Sequence, residues 1–414
     1  MTIPNSAQAT FTCDDVRQEH AQIIRVFSSD TDLQLGLFGM KLPVLSVCDS
    51  GGSIVRPIHN WLSQLRLQIG LSVSLRTAQE YGKSLSYLCR WLEDVQPYPK
   101  VGIANSIKLL VRADVTDWLH YMSQKGVGSN TTLHNREACL KKFLNWLCTH
   151  DGGHFRRAED SPWGVDGTLG YVVSPGSQLS PKFLPTEIII KLLNGMHNEC
   201  ERCMFHTQYD SGLRISELVG LTVKDLPRME DYDSANEFIP FGLAGAKGIA
   251  GNPKNRITLI SRAVLNRIKK YHSSLDYILA ENWKLNDPDK PVFLTTNNKI
   301  WSIRNASKQF KSAVLRQGLD EEFCTHWMRH GTAFSVLRSD LGKDLQDNLL
   351  ILQKMLGHAS LSATEIYTQI SPEMLIRLNR EGRKLNRLVE AEEIRTKTFL
   401  GSNHHIEKRG HREH

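Results

Sequence analysis

Nowhere in the 414 residues is there an apolar run of about 18, the length a membrane-spanning helix needs. The opening stretch, Met1 to Thr12, lacks a basic start followed by an apolar core. No secretory signal is therefore expected, and the expected location is the cytoplasm. No segment repeats at a solenoid period. The eight cysteines, at 13, 48, 89, 139, 148, 200, 203 and 324, form no framework pattern and read as reduced thiols. Cys200, Cys203 and His206 have ligand-like spacing, but no second ligand cluster follows. The same spacing describes a buried helical stripe, which is the favoured reading, and no metal is expected.

With 40% hydrophobic and 23% charged residues, the composition excludes disorder as the main state. The length suggests two or three domains. Net charge is +7, unevenly placed: −3 over residues 1–55, +5 over 56–160 and +5 over the rest. A basic body suits a polyanion such as nucleic acid, although a merely solvated surface fits the charge as well.

Residues 1–55 alternate short apolar runs with turn formers and read as an N-terminal extension of uncertain fold. Helical spacing begins after that. Tyr81, Leu85, Leu88, Leu92 and Val95 form one stripe, Val115, Trp118, Leu119 and Met122 a second, and Leu133, Leu140, Phe143, Leu144 and Leu147 a third. A bundle of four or five helices is expected over 56–150. Residues 151–183, rich in Gly, Pro, Ser and Asp, read as a linker. Helices return over 184–398, broken at 237–260 by apolar strands around a Gly-, Ala- and Lys-rich tip, a small hairpin. Residues 399–414 form a polar tail. The expected fold is thus mainly α, with a small β-hairpin in the second domain.

Four segments stand out: Asp210-Ser-Gly-Leu-Arg214-Ile-Ser-Glu217-Leu, running on to Asp225; His326-Trp-Met-Arg329-His330; Leu356-Gly357-His358; and Ser362 to Pro372, which contains Tyr367. Each alone is ordinary: a surface arginine, a solvated His/Arg face, a helix cap, a core tyrosine. In this order, the set resembles the tyrosine recombinase (phage integrase) family of site-specific DNA recombinases. The resemblance spans roughly 57–398. It implies a helical core-binding domain followed by a catalytic domain.

The chemistry suits the residues. A tyrosine phenol can hold a DNA phosphate covalently and later be displaced by a strand's 5′-hydroxyl. The resemblance makes Tyr367 that nucleophile, through a 3′-phosphotyrosine. The five-coordinate transition state gains negative charge, which planar, permanently charged guanidiniums meet well. The resemblance implies Arg214 and Arg329 for this, with His358 donating to the same phosphate and His326 assisting proton transfer. Glu217 and Asp225 read as support for Arg214. The leaving 5′-oxygen needs a proton, which the family takes from a hairpin lysine. Lys247 and Lys254 compete for that role, with Lys247 favoured; Arg256 reads as a strand start or a phosphate contact. Residues 339–348 read as an insert between Arg329 and His358.

The resemblance implies as partners double-stranded DNA with inverted-repeat sites, a protomer pair on each site and four in a synapse that exchanges strands through a four-way junction. No metal, nucleotide or other cofactor is needed, because the phosphotyrosine conserves the bond energy. Alternatives are a nicking topoisomerase or hairpin resolvase on the same site, or a non-catalytic DNA-binding regulator. After Tyr367, an apolar stripe over 372–398 that includes Leu385, Leu388 and Val389 suggests a helix, with docking on a neighbouring protomer favoured over docking on its own domain.

Overall fold

The computed structural model describes residues 24–27, 44–67, 73–94, 101–126, 130–164, 169, 184–243, 255–284, 287–358, 364 and 386–401. The chain forms two compact units that part near residue 178. Helices dominate both, with one small antiparallel sheet in each. Among the described residues no helix is long and apolar enough to cross a membrane.

The first unit holds strands β1 (Ile24–Phe27) and β2 (Val44–Val47), then helices α1 (Arg56–Leu67), α2 (Leu75–Asp94), α3 (Ile103–Leu109), α4 (Arg112–Gln124) and α5 (Asn130–Leu147). The expected stripes face its core: Leu85, Leu88, Trp118, Phe143 and Leu144 are buried. Trp61 stacks on Tyr81 at 5.4 Å between ring centroids and tilts against Phe143 at 5.3 Å.

Two segments pack more tightly than expected. Leu45 and Val47, in the N-terminal extension, are wholly buried in the same core. Their alternation with Ser46 and Cys48 on a short strand is too brief to be told from a turn-rich loop. Residues 151–164, expected as linker, also belong to this body. Arg156 donates to the carbonyls of Ile107, Lys108 and Leu110, and Trp163 is 1% exposed. A buried arginine that satisfies helix-end carbonyls leaves no periodic trace in a sequence.

The second unit contains α6 (Thr186–Asn194), α7 (Glu199–Ser211), α8 (Ile215–Val219), β3 (Phe238–Leu243), β4 (Arg256–Ser261), α9 (Arg262–His272), α10 (Leu275–Ile278), α11 (Ile303–Arg316), α12 (Thr325–Leu337), α13 (Leu345–Leu356) and α14 (Arg387–Thr398). The expected hairpin is present, with Phe238 paired to Ser261 and Leu243 to Arg256. Ile239, Phe241 and Ile260 enter the core, while Phe205 meets Phe310 edge to face at 5.1 Å. Of the expected insert 339–348, residues 339–344 turn between α12 and α13 and the rest open α13, from which Asn348 staples the turn. Asn348 Nδ2 donates to the Ser339 carbonyl at 2.9 Å, and its Oδ1 accepts from Gly342 N at 2.8 Å.

Of the stripe for which docking on a neighbour was favoured, only Leu388 and Val389 are described, and α14 is anchored to its own domain through another face. Ile394 is fully buried in that domain's core, whereas Val389 is 63% exposed. The buried face carries Arg387 and Glu390 instead, two charged residues that a hydrophobic stripe cannot reveal. Residues 372–385, the rest of that segment, lie outside the described residues.

Candidate active site

The site is built from the ends of helices in the second unit. Asn198 caps α7, its side chain accepting from Glu201 N at 2.8 Å, with Glu199 and Glu201 in the first turn. The helix ends at Gly212, whose φ of 65° favours glycine. A Cβ there would stand 3.0 Å from Leu356 and 3.2 Å from Thr332, so the small residue also lets α12 and α13 approach. The chain turns at once into α8, placing Arg214 at its N-cap.

Glu217 fixes that turn. Its carboxylate accepts from Arg214 N at 2.7 Å and Arg214 Nη1 at 2.9 Å. It also accepts from Arg256 Nη2 at 2.6 Å and Nε at 3.2 Å. Burial alone would raise its pKa. The Arg256 hydrogen bond and charge, joined by Arg214, outweigh that and hold it at about 2. Glu217 therefore supports Arg214 as expected. Asp225 does something more local, accepting from Thr222 N and Oγ1 to cap its own turn.

Arg256 is a strand start, as one of its two readings had it, and it is buried at 8% exposure. Besides Glu217, it donates to the Met355 carbonyl at the end of α13. A Cβ on Gly357 would stand 2.6 Å from Arg256 Cδ, so Gly357, with φ 64°, both ends α13 and leaves room for this arginine.

Arg329 lies on α12 at 2% exposure and donates to the carbonyls of Gly212 and Leu356. One guanidinium thus ties together three of the four motif segments. His358 follows Gly357, its Nδ1 3.0 Å from Thr364 Oγ1. Its pKa is lowered to about 4, first by burial, then by the charges of Arg329, Arg214 and Arg256. His326 is open to solvent on one side, yet its pKa is also lowered, by burial and then by Arg329 and Arg214.

His330 joins this group without having been singled out. Its ring meets that of His326 edge to face at 4.5 Å. Burial, then His326, Arg329 and His358, lower its pKa to about 4. Its position four residues after His326, on one helix face, was the available signal. Arg214, His326, Arg329 and His358 are thus brought together. Tyr367, Lys247 and Lys254 lie outside the described residues.

The arrangement is an electropositive cradle. Two arginines are held by a carboxylate and by backbone carbonyls, and three imidazoles are kept neutral beside them. It can receive an anion with oxygens to be hydrogen-bonded, such as a phosphodiester. Elsewhere in the unit, Cys200 donates to the Leu294 carbonyl and His206 Nδ1 faces buried Arg267. No metal-ligating group of three occurs among the described residues.

Residues 182–374 match the model of the phage integrase family. Among curated proteins, tyrosine recombinase XerC of Escherichia coli O157:H7 (strain EC4115 / EHEC) is 28% identical over 251 residues, 60% of this chain and 72% of that protein. Among solved structures, the XerH site-specific recombinase bound to palindromic difH substrate superposes with a TM-score of 0.55 at 18% identity, covering 78% of this chain and 84% of that one. The Tn1549 transposon integrase in complex with circular intermediate DNA gives 0.54 at 19% identity, over 79% and 99%. Those two likenesses are of fold. The match to the phage integrase family is carried by the second unit, and over 251 residues the chain is similar to the tyrosine recombinase XerC.

Proposed function

We propose that the protein cleaves and rejoins double-stranded DNA at inverted-repeat sites through a 3′-phosphotyrosine on Tyr367, for integration, excision or resolution of DNA carried by a mobile element. The observation that carries this reading is the convergence of Arg214, Arg329 and His358 on one cradle, held by Glu217 and Arg256. In this reading the two guanidiniums and His358 take the non-bridging oxygens and stabilise the five-coordinate phosphorane. His326, neutral near pH 7, takes part in proton movement around the nucleophile. Lys247 protonates the leaving 5′-oxygen. No cofactor or metal enters the reaction, because the covalent link stores the bond energy.

The basic bundle of the first unit supplies phosphate contacts whose affinity falls with salt. Two protomers occupy each site and four make the synapse, and strands exchange through a four-way junction. The protein works in the cytoplasm.

The test is covalent trapping on a nicked suicide substrate. Wild-type protein is expected to form a protein–DNA adduct and Tyr367→Phe none, with equal binding to the site. An adduct with the Phe variant would move the nucleophile to another residue. Binding without any adduct in wild type would favour a DNA-binding regulator.

A further inference from the structure

Helix α14 buries a polar network where apolar packing would have sufficed. Glu390 Oε1 accepts from Tyr209 Oη at 2.9 Å and from Thr186 Oγ1 at 2.7 Å, and its Oε2 accepts from Ser335 Oγ at 2.5 Å. Arg387 Nε donates to the same Ser335 Oγ at 3.2 Å, and Nη2 donates to the Asp210 carbonyl at 2.6 Å. Both residues are nearly inaccessible, at 3% and 6% exposure. Adhesion of the helix is already provided by Ile394 and Ala391. Buried charged groups stabilise less than apolar packing of similar volume, and their best-attested use is to fix register.

The register they touch is that of the site. Tyr209 and Asp210 form the last turn of α7, directly ahead of Gly212 and Arg214. Ser335 lies on α12, on the helix that carries Arg329. Thr332 Oγ1, on the same helix, donates to the Tyr209 carbonyl at 2.6 Å, so the two helices meet at this point. We propose that Arg387 and Glu390 are positioning residues: from the helix beyond the active-site segment they set α7 against α12, and so hold Arg214 and Arg329 at the spacing that one phosphate requires. The cleavage arm of its test rests on the recombinase reading above; the spectroscopic arm does not.

The experiment uses the full chain with Ser335→Ala, Arg387→Lys and, as a control for simple loss of helix packing, Ile394→Ala. Four quantities are read: thermal midpoint, half-site affinity, single-turnover cleavage of a nicked site, and the NMR titration midpoint of the His358 ring. That ring reports the arginines, because after burial their charges are what hold it near 4. Ser335→Ala and Arg387→Lys are expected to cut cleavage by about tenfold or more, since an ångström of misplacement at a reacting centre costs that much. Half-site affinity should stay within about twofold, and the His358 midpoint should rise as the guanidiniums shift away. Ile394→Ala should lower the thermal midpoint at least as far while leaving cleavage and the His358 midpoint in place. The proposal is overturned if cleavage merely follows thermal midpoint across all three variants, or if the His358 midpoint stays put in the first two. Should wild type form no adduct, the recombinase reading fails and the titration alone decides on the strut; should Arg387→Lys not fold, Ser335→Ala carries both arms.

Discussion

Arg256 Nη2 and Glu217 Oε2 stand 2.6 Å apart with side chains 5% and 1% exposed, a buried pair that links the hairpin to the turn bearing Arg214. Breaking such a pair from one side strands a charge. Glu217→Gln is expected to cost about 3–5 kcal/mol at neutral pH, measured by urea unfolding. The pH dependence has a definite sign. The folded carboxyl is held at about 2, below its ordinary 4.5, so its contribution is present above 4.5 and lost as pH falls toward 2. The Gln variant should lack that part of the acid slope, and an unchanged slope would argue against the pair.

The histidines act in a higher window. His330 and His358 sit near 4 when folded, against an ordinary 6.5. Between these values the unfolded chain binds protons that the folded one refuses, so stability is complete above 6.5 and declines as pH falls toward 4. His330→Gln is expected to flatten that decline. Denaturant midpoints across this range in both proteins would check it, and parallel curves would refute it.

For the leaving group, Lys247→Ala should abolish cleavage of ordinary DNA, while a 5′-bridging sulfur should restore it because a thiolate departs without a proton. Rescue of Lys254→Ala in place of Lys247→Ala would reassign the acid.

Anchoring of α14 on its own domain gives its loss a cost in stability. Ile394→Ala removes a fully buried side chain and is expected to cost about 2–5 kcal/mol. Removing residues from Asn386 onward should cost more, because Glu390's partners Tyr209, Thr186 and Ser335 would lose their acceptor. Thermal unfolding of both variants is the check, and an unchanged midpoint would return the helix to a role between protomers.

The motif segments were legible because their chemistry leaves few substitutes: a guanidinium after a turn glycine, a histidine after a helix-ending glycine. Apolar stripes such as Val115, Trp118, Leu119 and Met122 likewise marked a helix face directly. What the sequence hid were charged residues used as interior struts. Arg156, Arg387 and Glu390 gave no signal in the sequence, and Arg256 read only as a strand start or a phosphate contact, yet all four are buried and bonded to carbonyls, carboxylates or hydroxyls distant in sequence. Hydrophobic periodicity carries no record of such partners. His330 was visible within its motif but silent as to role, because ring contact with His326 is a property of the folded helix.

The glycines at 212 and 357 end two helices whose last carbonyls point into the site. Helix C-termini carry partial negative charge, roughly half an electron each, and would repel an approaching phosphodiester. Arg329 takes up the carbonyls of Gly212 and Leu356, and Arg256 that of Met355. Each of these arginines therefore cancels a local dipole before any DNA arrives. The field that a substrate meets is the residue of that cancellation, so neutralising Arg329 would leave the carbonyls of Gly212 and Leu356 uncompensated beside Arg214.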